Sequence, residues 1–211
     1  MYERERRSRR FYERWAPVYD WNNRLAALVR GVSDMGSRRA AIRHLELKPG
    51  HRVLEVCVGT GANLLILAEH VGPTGRLVGL DISPGMLMRC RRRLNRRRLA
   101  ADLIEGEAAR LPIASQAFDV VFHFGGFAEF GDKKGAIEEM MRVARSGGKL
   151  VICDAGLPSD RRLPLVSRLL LKLQPLYAQE PPIDLIPSQV GDVRLTWFRG
   201  QAWYLIEFTN P

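Results

Sequence analysis

The amino-acid sequence predicts an α/β protein whose doubly wound, mostly parallel seven-stranded sheet carries N-terminal helices and a C-terminal antiparallel hairpin. Apolar runs alternate with helical patterns between residues 52 and 154, and this alternation is typical of a parallel sheet with helices on both faces. Near the C-terminus, two further apolar runs are separated by residues 199–201 only. That connection is too short for a crossover, so these two strands form a hairpin. The two patterns together predict a Rossmann-like architecture.

Each element has its own local signal. The first strand, 52–58, is a nearly continuous run of Val and Leu, which suits a parallel strand covered on both faces. Ser83 is a suitable N-cap, and Pro84 occupies the first position of the helix that follows. The predicted strands are 52–58, 76–82, 102–106, 117–124, 149–154, 192–198 and 202–209. The predicted helices are 9–30 with a break at Pro17, 34–46, 62–71, the one from Ser83, and 133–144; a turn at 146–148 precedes the fifth strand.

The length and composition indicate one globular domain. A chain of 211 residues with 46% hydrophobic and 27% charged residues is large enough for a full core. We divide it into an N-terminal helical cap (1–46), a cofactor-binding core (47–155), and a short lid with the C-terminal hairpin (156–211). The amphipathic stretch 163–173 within the last part could roof an apolar substrate or belong to the core.

The cysteines and the N-terminus predict a cytoplasmic protein. Cys57, Cys90 and Cys153 have no metal-ligand spacing, so we predict no metal site and interpret them as buried thiols. The first ten residues are charged and lack the apolar stretch of a secretory signal. No apolar run reaches the length of about 18 residues that spans a bilayer.

The net charge of +10 indicates anionic partners, with arginines clustered at 4–10 and 89–98. No aromatic residue interleaves with the second cluster, which disfavours RNA as a partner. An anionic membrane surface is the alternative partner, and a merely solvated arginine-rich surface is the other interpretation. We expect segment 1–10 to carry membrane-surface binding and to contribute little to the fold. The oligomeric state is left open.

The strand and loop at 53–61 predict the cofactor. Gly59, Thr60 and Gly61 form a turn that lets the backbone approach a ligand, and Asp81 at the end of the next strand can accept hydrogen bonds from both ribose hydroxyls. A dinucleotide loop would have a third glycine where Leu64 stands. Glu55 would repel a pyrophosphate, whereas it suits a ligand with an ammonium and a sulfonium group. That ligand is S-adenosylmethionine.

Four segments carry a family resemblance across roughly residues 11–155. They are Phe-Tyr-Glu-Arg-Trp-Ala-Pro-Val-Tyr-Asp at 11–20, Val53–Gly61, Gly-Glu-Ala-Ala-Arg-Leu-Pro at 106–112 with Ala-Phe-Asp-Val-Val at 117–121, and Arg-Val-Ala-Arg-Ser-Gly-Gly-Lys at 142–149. The chain resembles class I S-adenosylmethionine-dependent methyltransferases, closest to the ubiquinone/menaquinone biosynthesis C-methyltransferases. The first segment is also similar to soluble bacterial phosphatidylethanolamine N-methyltransferases.

The resemblance implies a set of site residues. Asp81 would bind the ribose, Glu55 the methionine ammonium, and Glu107 with Ala108 the adenine edge, while Ile82 and Met86 would pack on the adenine face. Tyr12 and Tyr19 lie in a segment that folds over the cofactor, where an aromatic face stabilises a sulfonium. His123 lies where cofactor and substrate meet. The catalytic candidates are therefore His123, Asp154 and Tyr19, of which the first two could act as a general base.

The acceptor stays open at this point. We expect a small apolar or lipid-like acceptor of the quinol or phenol type, and the alternative is a phospholipid such as phosphatidylethanolamine. An RNA methyltransferase or a non-catalytic cofactor-binding protein is the weaker alternative. The quinone-type family follows its fourth strand with a Phe-Gly-Leu-Arg-Asn type loop, whereas residues 124–128 read Phe-Gly-Gly-Phe-Ala.

Overall fold

The computed structural model describes residues 3–19, 21, 34–156, 180–198 and 203–211. The helices are α1 (Glu3–Trp15), α2 (Asp34–Arg43), α3 (Ala62–Val71), α4 (Pro84–Arg97) and α5 (Lys133–Val143). The strands are β1 (Arg52–Val56), β2 (Arg76–Asp81), β3 (Asp102–Glu105), β4 (Phe118–Phe124), β5 (Ala144–Ala155), β6 (Arg194–Phe198) and β7 (Trp203–Thr209). Short 3₁₀ turns lie at Phe127–Glu129 and Ile183–Leu185.

The described strands form one sheet of seven in the order β3-β2-β1-β4-β5-β7-β6. The first five strands of the chain pair in parallel, whereas β7 is antiparallel to β5 and β6 is antiparallel to β7. The predicted mostly parallel sheet with a C-terminal hairpin is confirmed. The strand order reverses between β1 and β4, and ligands of such sheets bind at the carboxyl edge beside this reversal.

Helices cover both faces of the sheet and create two apolar layers. On one face, α2, α3 and α4 pack through Ile42, Leu64 and Leu94 against strand residues such as Val53 and Phe122. On the other face, α5 packs on the opposite side of the same strands. Its buried residues are Ala136, Ile137, Met140 and Val143. The doubly wound prediction is therefore confirmed. Because helices cover both faces of the sheet, a ligand site is expected at its carboxyl edge.

Helix caps follow the sequence signals. Ser83 is the N-cap of α4, and its hydroxyl oxygen accepts a hydrogen bond from the Met86 backbone N–H at 3.3 Å. Asp132 caps α5 in the same way by accepting from the Gly135 N–H at 2.8 Å. Such side chains satisfy backbone donors that have no partner within the helix. The cap at Ser83 fixes the start of α4 directly after β2, beside the glycine turn.

Two predicted boundaries were wrong by more than three residues. The N-terminal helix begins at Glu3 and not at residue 9. The fifth strand begins at Ala144 and includes 146–148, which we predicted as a turn. Gly147 has a φ of 72°, and the pairing register shifts between Phe118 and Val120, so an irregular strand replaces the turn. The amphipathic stretch 163–173 and the hairpin connection 199–201 lie outside the described residues.

Candidate active site

A glycine turn joins β1 to α3 at the carboxyl edge of the sheet. Gly59 and Gly61 have φ values of 54° and 75°, which a residue with a side chain adopts at a cost. A Cβ at Gly61 would collide with the sulfur of Cys90, so this glycine allows α4 to pack closely. A Cβ at Gly59 would meet nothing within 4 Å. The turn therefore packs closely against α4 at Gly61. At Gly59 it is open, and a ligand can approach the backbone there.

Asp81 ties this turn to the end of β2. One of its carboxylate oxygens accepts the Gly59 N–H at 2.8 Å, and the other accepts the Ser83 N–H at 2.9 Å. The residue is only 7% exposed, and burial raises its pKa to about 6. A carboxylate has about four acceptor positions. Asp81 can therefore hold the backbone and still accept from a further hydroxyl donor, as a ribose would supply.

Glu55 is the second buried carboxylate of the site. It is 1% exposed at the carboxyl end of β1, and its Oε1 accepts from Asn63 Nδ2 at 2.6 Å. Among the described residues, its Oε2 has no hydrogen-bond partner although it is buried. Burial raises the pKa of Glu55 to about 8. An unsatisfied buried oxygen is rare and costly, so it indicates a missing donor. The ammonium group of S-adenosylmethionine fits this requirement.

The structure brings the predicted adenine-side residues to the same edge. The Gly106 N–H donates to the Asp81 carbonyl at 3.1 Å, which places residues 106–108 directly beside the end of β2. Ala108 and Met86 are buried, whereas Ile82 is half-buried. Glu107 forms an isolated bridge with Arg110. The predicted roles of these residues stay predictions, but their common position agrees with one nucleoside site.

Thr60 has a partner that the sequence did not indicate. It is 4% exposed, and its carbonyl and hydroxyl oxygens accept from Arg93 Nη1 at 2.7 and 2.9 Å. Arg93 belongs to the arginine cluster 89–98 on α4, which the sequence assigned to an anionic partner or to a solvated surface. At least one arginine of that cluster therefore supports the glycine turn. The sequence signal that could have revealed this contact is the position of Arg93 three residues after Cys90, which places it near the buried side of α4.

Helix α1 lies across the carboxyl edge and brings Tyr12 into the site. Gly85 at the start of α4 faces α1 so closely that a Cβ there would lie 3.6 Å from the Cα of Glu13. Tyr12 is half-buried, and burial together with Tyr19, Glu129 and Cys57 raises its pKa. The Tyr12 and Tyr19 rings are 6.3 Å apart. The structure therefore brings together the two predicted tyrosines above the ends of the strands.

His123 is enclosed within the protein. Its exposed fraction is 0%, and its Nδ1 lies 3.1 Å from the Val56 carbonyl oxygen, which can only accept. Nδ1 therefore carries the hydrogen. Nε2 is buried without a hydrogen-bond partner among the described residues, and the rings of Phe127 and Phe130 lie 5.6 and 5.3 Å away. Burial lowers the pKa to about 4. These surroundings favour a packing role, and the base role stays a prediction.

Asp154 is engaged with the backbone of the loop after β4. One oxygen accepts the N–H groups of Gly126 at 3.3 Å and Ala155 at 2.7 Å, and the other accepts the Ala128 N–H at 2.9 Å. The residue is 4% exposed, and burial raises its pKa. Asp154 therefore shapes the turn that follows β4. Its predicted role as a base stays untested, although its oxygens already have these structural partners.

The donor and acceptor set of the site fits one cofactor. Two buried carboxylates flank a glycine turn that is open above Gly59, and Tyr12 lies near Cys57 and Asp154 at the same edge, with its ring 6.3 Å from that of Tyr19. Within the described parts of the chain, no group of three His, Cys, Asp or Glu side chains could hold a metal ion. None of the helices in those parts is long and apolar enough to cross a membrane.

Comparisons with known proteins agree with this geometry. A family model described as a methyltransferase domain matches residues 53–148. A demethylmenaquinone methyltransferase from Lactobacillus johnsonii is 31% identical over 185 residues, which are 87% of this chain and 72% of that protein. A second one, from Thermus thermophilus, is 37% identical over 154 residues, or 73% of this chain and 68% of that protein.

Solved structures share the fold at low identity. A SAM-dependent methyltransferase from Aquifex aeolicus has a TM-score of 0.62 at 21% identity and covers 82% of this chain and 89% of that chain. The phosphoethanolamine N-methyltransferase 2 of Haemonchus contortus, solved with S-adenosylhomocysteine, has a TM-score of 0.68 at 16% identity, over 83% and 53%. At these identities the structures show the fold alone.

The fold, the site and these comparisons define an enzyme, an S-adenosylmethionine-dependent methyltransferase. Within that class, the chain belongs to the family of the demethylmenaquinone methyltransferases, as its similarity over most of both chains shows.

Proposed function

We propose that this methyltransferase transfers the methyl group to the ring of a quinol-type acceptor. The observation that carries the proposal is the similarity to demethylmenaquinone methyltransferases over 87% of this chain. The composition of the site supports it, because aromatic side chains surround the carboxyl ends of β1 and β4. These side chains are Tyr12, Tyr19, Phe127 and Phe130. Aromatic rings favour a flat, apolar acceptor.

We propose these roles for the residues of the cofactor site. Asp81 accepts from the ribose hydroxyls, and Glu55 accepts from the methionine ammonium through Oε2. The adenine lies among Ile82, Met86, Glu107 and Ala108, and the turn Gly59-Thr60-Gly61 passes beneath the nucleoside. Bound S-adenosylmethionine supplies a methyl group that its positive sulfur has already activated.

The protein's own contribution is alignment and the exclusion of water. Helix α1 covers the edge where the acceptor ring would lie, and Tyr12 and Tyr19 offer their faces to a cation. The two buried candidates for a base, His123 and Asp154, are bonded to backbone groups. We infer that a carbon of the electron-rich quinol ring would bond to the methyl group as the sulfur–methyl bond breaks, without an early proton transfer to either of them. The methylated ring carbon would then lose its proton to solvent. Tyr19, which is half-buried, is then the remaining catalytic candidate.

An acceptor assay tests this function. The protein would be incubated with methyl-labelled S-adenosylmethionine and, in separate arms, a reduced demethylmenaquinone, its oxidised form, phosphatidylethanolamine and RNA. We expect label in the quinol arm and little in the quinone arm, because oxidation removes the electron density that attacks the methyl group. Label in phosphatidylethanolamine alone would replace the quinol proposal with the phospholipid alternative, and label in RNA alone would contradict both.

Two observations favour the phospholipid as the second candidate. Residues 124–128 carry neither the arginine nor the asparagine of the quinone-type loop, and α1 presents exposed aromatic rings beside arginines. Both features are compatible with an acceptor whose head group stays at a lipid surface. The similarity to a phosphoethanolamine enzyme is one of fold and adds no weight to this candidate.

We also propose that α1 docks on an anionic membrane surface. Phe11 and Trp15 stack with their ring centroids 5.4 Å apart, and both are more than 40% exposed. Trp21 beyond the helix is 66% exposed. Exposed arginines of α1 flank these rings, namely Arg6, Arg7, Arg10 and Arg14. Interfacial helices combine aromatic and basic residues in this way, and an anionic lipid is the complementary partner.

Vesicle flotation tests this docking. The double variant Phe11→Ala/Trp15→Ala is expected to lower binding to anionic vesicles by about tenfold or more, since binding scales with the apolar area that enters the interface. The matched control is Ile183→Ala/Leu195→Ala, which removes two side chains that are each 37% exposed elsewhere on the protein. Failure of the unaltered protein to float at low salt would show that the surface is merely solvated.

A further inference from the structure

Three side chains form a hydrogen-bonded row next to the glycine turn. Arg38 on α2 donates from Nη1 to Asn63 Oδ1 at 2.9 Å, and Asn63 donates from Nδ2 to Glu55 Oε1 at 2.6 Å. Asn63 is 1% exposed in the first turn of α3. The arrangement places a cation and a carboxylate on opposite sides of one amide group, beside the glycine turn.

The row is incomplete at its acidic end. Glu55 Oε2 is buried without a hydrogen-bond partner among the residues that the structure describes. The positive end is oriented rather than free to move, because the guanidinium lies 4.9 Å from the centroid of the Phe124 ring. That ring in turn stacks on Trp203 at 5.1 Å. A guanidinium has five N–H donors in a planar fork, so Arg38 can hold Asn63 and also a planar acceptor.

The charges of this row match those of an amino acid. An α-amino acid carries its ammonium and its carboxylate on one carbon, and the row offers a carboxylate and a guanidinium that are separated by the width of one amide. We propose that Arg38 binds the methionine carboxylate of S-adenosylmethionine, while Glu55 takes the ammonium and Asn63 sets the distance between them. The inference concerns the cofactor and is independent of which acceptor the enzyme methylates.

The neighbouring arginine is a matched control. Arg39 follows Arg38 on α2, but it points to Glu69 with two contacts of 2.6 and 3.1 Å, and both side chains are about half exposed. Its removal deletes the same charge from the same helix at a distance from the site. If net charge alone affected ligand affinity, Arg38→Ala and Arg39→Ala would weaken binding equally. If Arg38 contacts the ligand carboxylate, only Arg38→Ala would weaken binding.

The experiment compares three ligands by titration calorimetry. S-adenosylhomocysteine has both charges of the amino acid, its decarboxylated analogue keeps only the ammonium, and methylthioadenosine has neither. In Arg38→Ala we expect S-adenosylhomocysteine to bind about tenfold more weakly or worse, because a bidentate charged pair is lost. The decarboxylated analogue and methylthioadenosine should bind as they do to the unaltered protein. Arg39→Ala should bind all three ligands without change.

A second variant separates the carboxylate contact from a structural effect. Arg38→Lys keeps the charge and loses the planar fork, so we expect an intermediate loss for S-adenosylhomocysteine alone. Equal weakening of all three ligands in both Arg38 variants would mean that Arg38 only supports the fold of the site. Unchanged S-adenosylhomocysteine binding in folded Arg38→Ala would equally overturn the proposal.

Discussion

Glu55 is a residue whose placement favours ligand binding over stability. Burial raises its pKa from 4.5 to about 8, so between these values the folded protein holds a proton that the unfolded chain has lost. The stability linked to this group is fully present below about pH 4.5 and is lost as the pH rises through about 8. An ionised Glu55 therefore destabilises the ligand-free protein, and a bound ammonium group would relieve that cost.

A Glu55→Gln variant tests this balance. Glutamine keeps an oxygen for the Asn63 amide and does not titrate, so the variant should melt at a higher temperature than the unaltered protein above about pH 8. For a chain of this length each kcal/mol corresponds to about 2–4 °C. The difference should shrink toward acidic pH, and S-adenosylhomocysteine should bind more weakly to the variant. Glu138→Gln, on the exposed face of α5, serves as the control. A variant less stable than the parent at every pH would contradict this account.

Asp81 combines two functions that one substitution removes together. Asp81→Ala should weaken S-adenosylhomocysteine binding by at least about tenfold, because each hydrogen bond to a carboxylate contributes roughly 1.5–3 kcal/mol. The same change releases the Gly59 N–H, which adds to the loss. Asp102→Ala is the control, since Asp102 pairs with Arg76 on the surface. Calorimetry measures both variants, and full affinity in a folded Asp81→Ala protein would refute the ribose assignment.

The sequence predicted the part of the site that is contiguous along the chain. The glycine turn, Glu55 and Asp81 follow from strand ends and local spacing, and the structure places them together. Arg38, Asn63 and Arg93 were not predicted, because their contacts join different helices. The Arg38 to Asn63 bond spans 25 residues and the Arg93 to Thr60 bond spans 33. Such pairs depend on how the helices dock: the spacing of Arg93 from Cys90 indicates the buried side of α4, but no local pattern identifies the partner.

At the scale of elements, α1 differs most from its prediction. Its buried positions are Glu5 and Ser8, so the helix has no apolar stripe that a periodicity would reveal. Polar contacts hold it instead. Glu5 Oε1 accepts the Gly131 N–H at 2.8 Å, Arg4 donates to the Ala128 carbonyl at 3.1 Å, and Arg9 pairs with Glu105 at 2.8 Å. These contacts lead us to predict that residues 1–10 do contribute to the fold, contrary to the expectation from the sequence.

Removal of residues 1–10 tests the anchoring of α1. We expect the melting temperature to fall by several degrees, since each net hydrogen bond contributes about 1 kcal/mol and each kcal/mol corresponds to about 2–4 °C. Arg6→Ala/Arg7→Ala removes two exposed charges of the same helix and should leave it nearly unchanged. A truncated protein that melts with the parent would show that these contacts contribute nothing measurable.

The start of β5 has a different explanation. Ser146-Gly147-Gly148 has the composition of a turn, but backbone bonds hold it in the sheet. Gly147 donates to the Asn210 carbonyl at 2.9 Å, and Asn210 donates to the Gly148 carbonyl at 2.8 Å. The partner lies about sixty residues further along the chain. Strand boundaries that depend on such distant pairing cannot be read from local composition, whereas the central strands β1, β2 and β4 could be predicted from their apolar runs.

At the scale of the whole molecule, the site must select its cofactor and stabilise the fold when it binds. A ligand that binds only the folded state raises the free energy of unfolding by about 2.7 kcal/mol at roughly 100 times its Kd. At about 2–4 °C per kcal/mol, this corresponds to a shift of roughly 5–11 °C. We expect S-adenosylhomocysteine to produce such a shift in a thermal melt of the full chain.

NADH is expected to produce no shift in the same melt, because the site opposes a dinucleotide in two ways. The Glu55 carboxylate lies buried at the end of β1, and its negative charge when ionised would repel a pyrophosphate. Leu64 is 0% exposed and packs where the third glycine of a dinucleotide turn would allow helix and strand to approach. The melts use equal concentrations of both ligands, with methylthioadenosine as the neutral nucleoside control. A ligand raises the melting temperature only if it binds the folded protein. A higher melting temperature with NADH and an unchanged one with S-adenosylhomocysteine would therefore contradict the assignment of this site to S-adenosylmethionine.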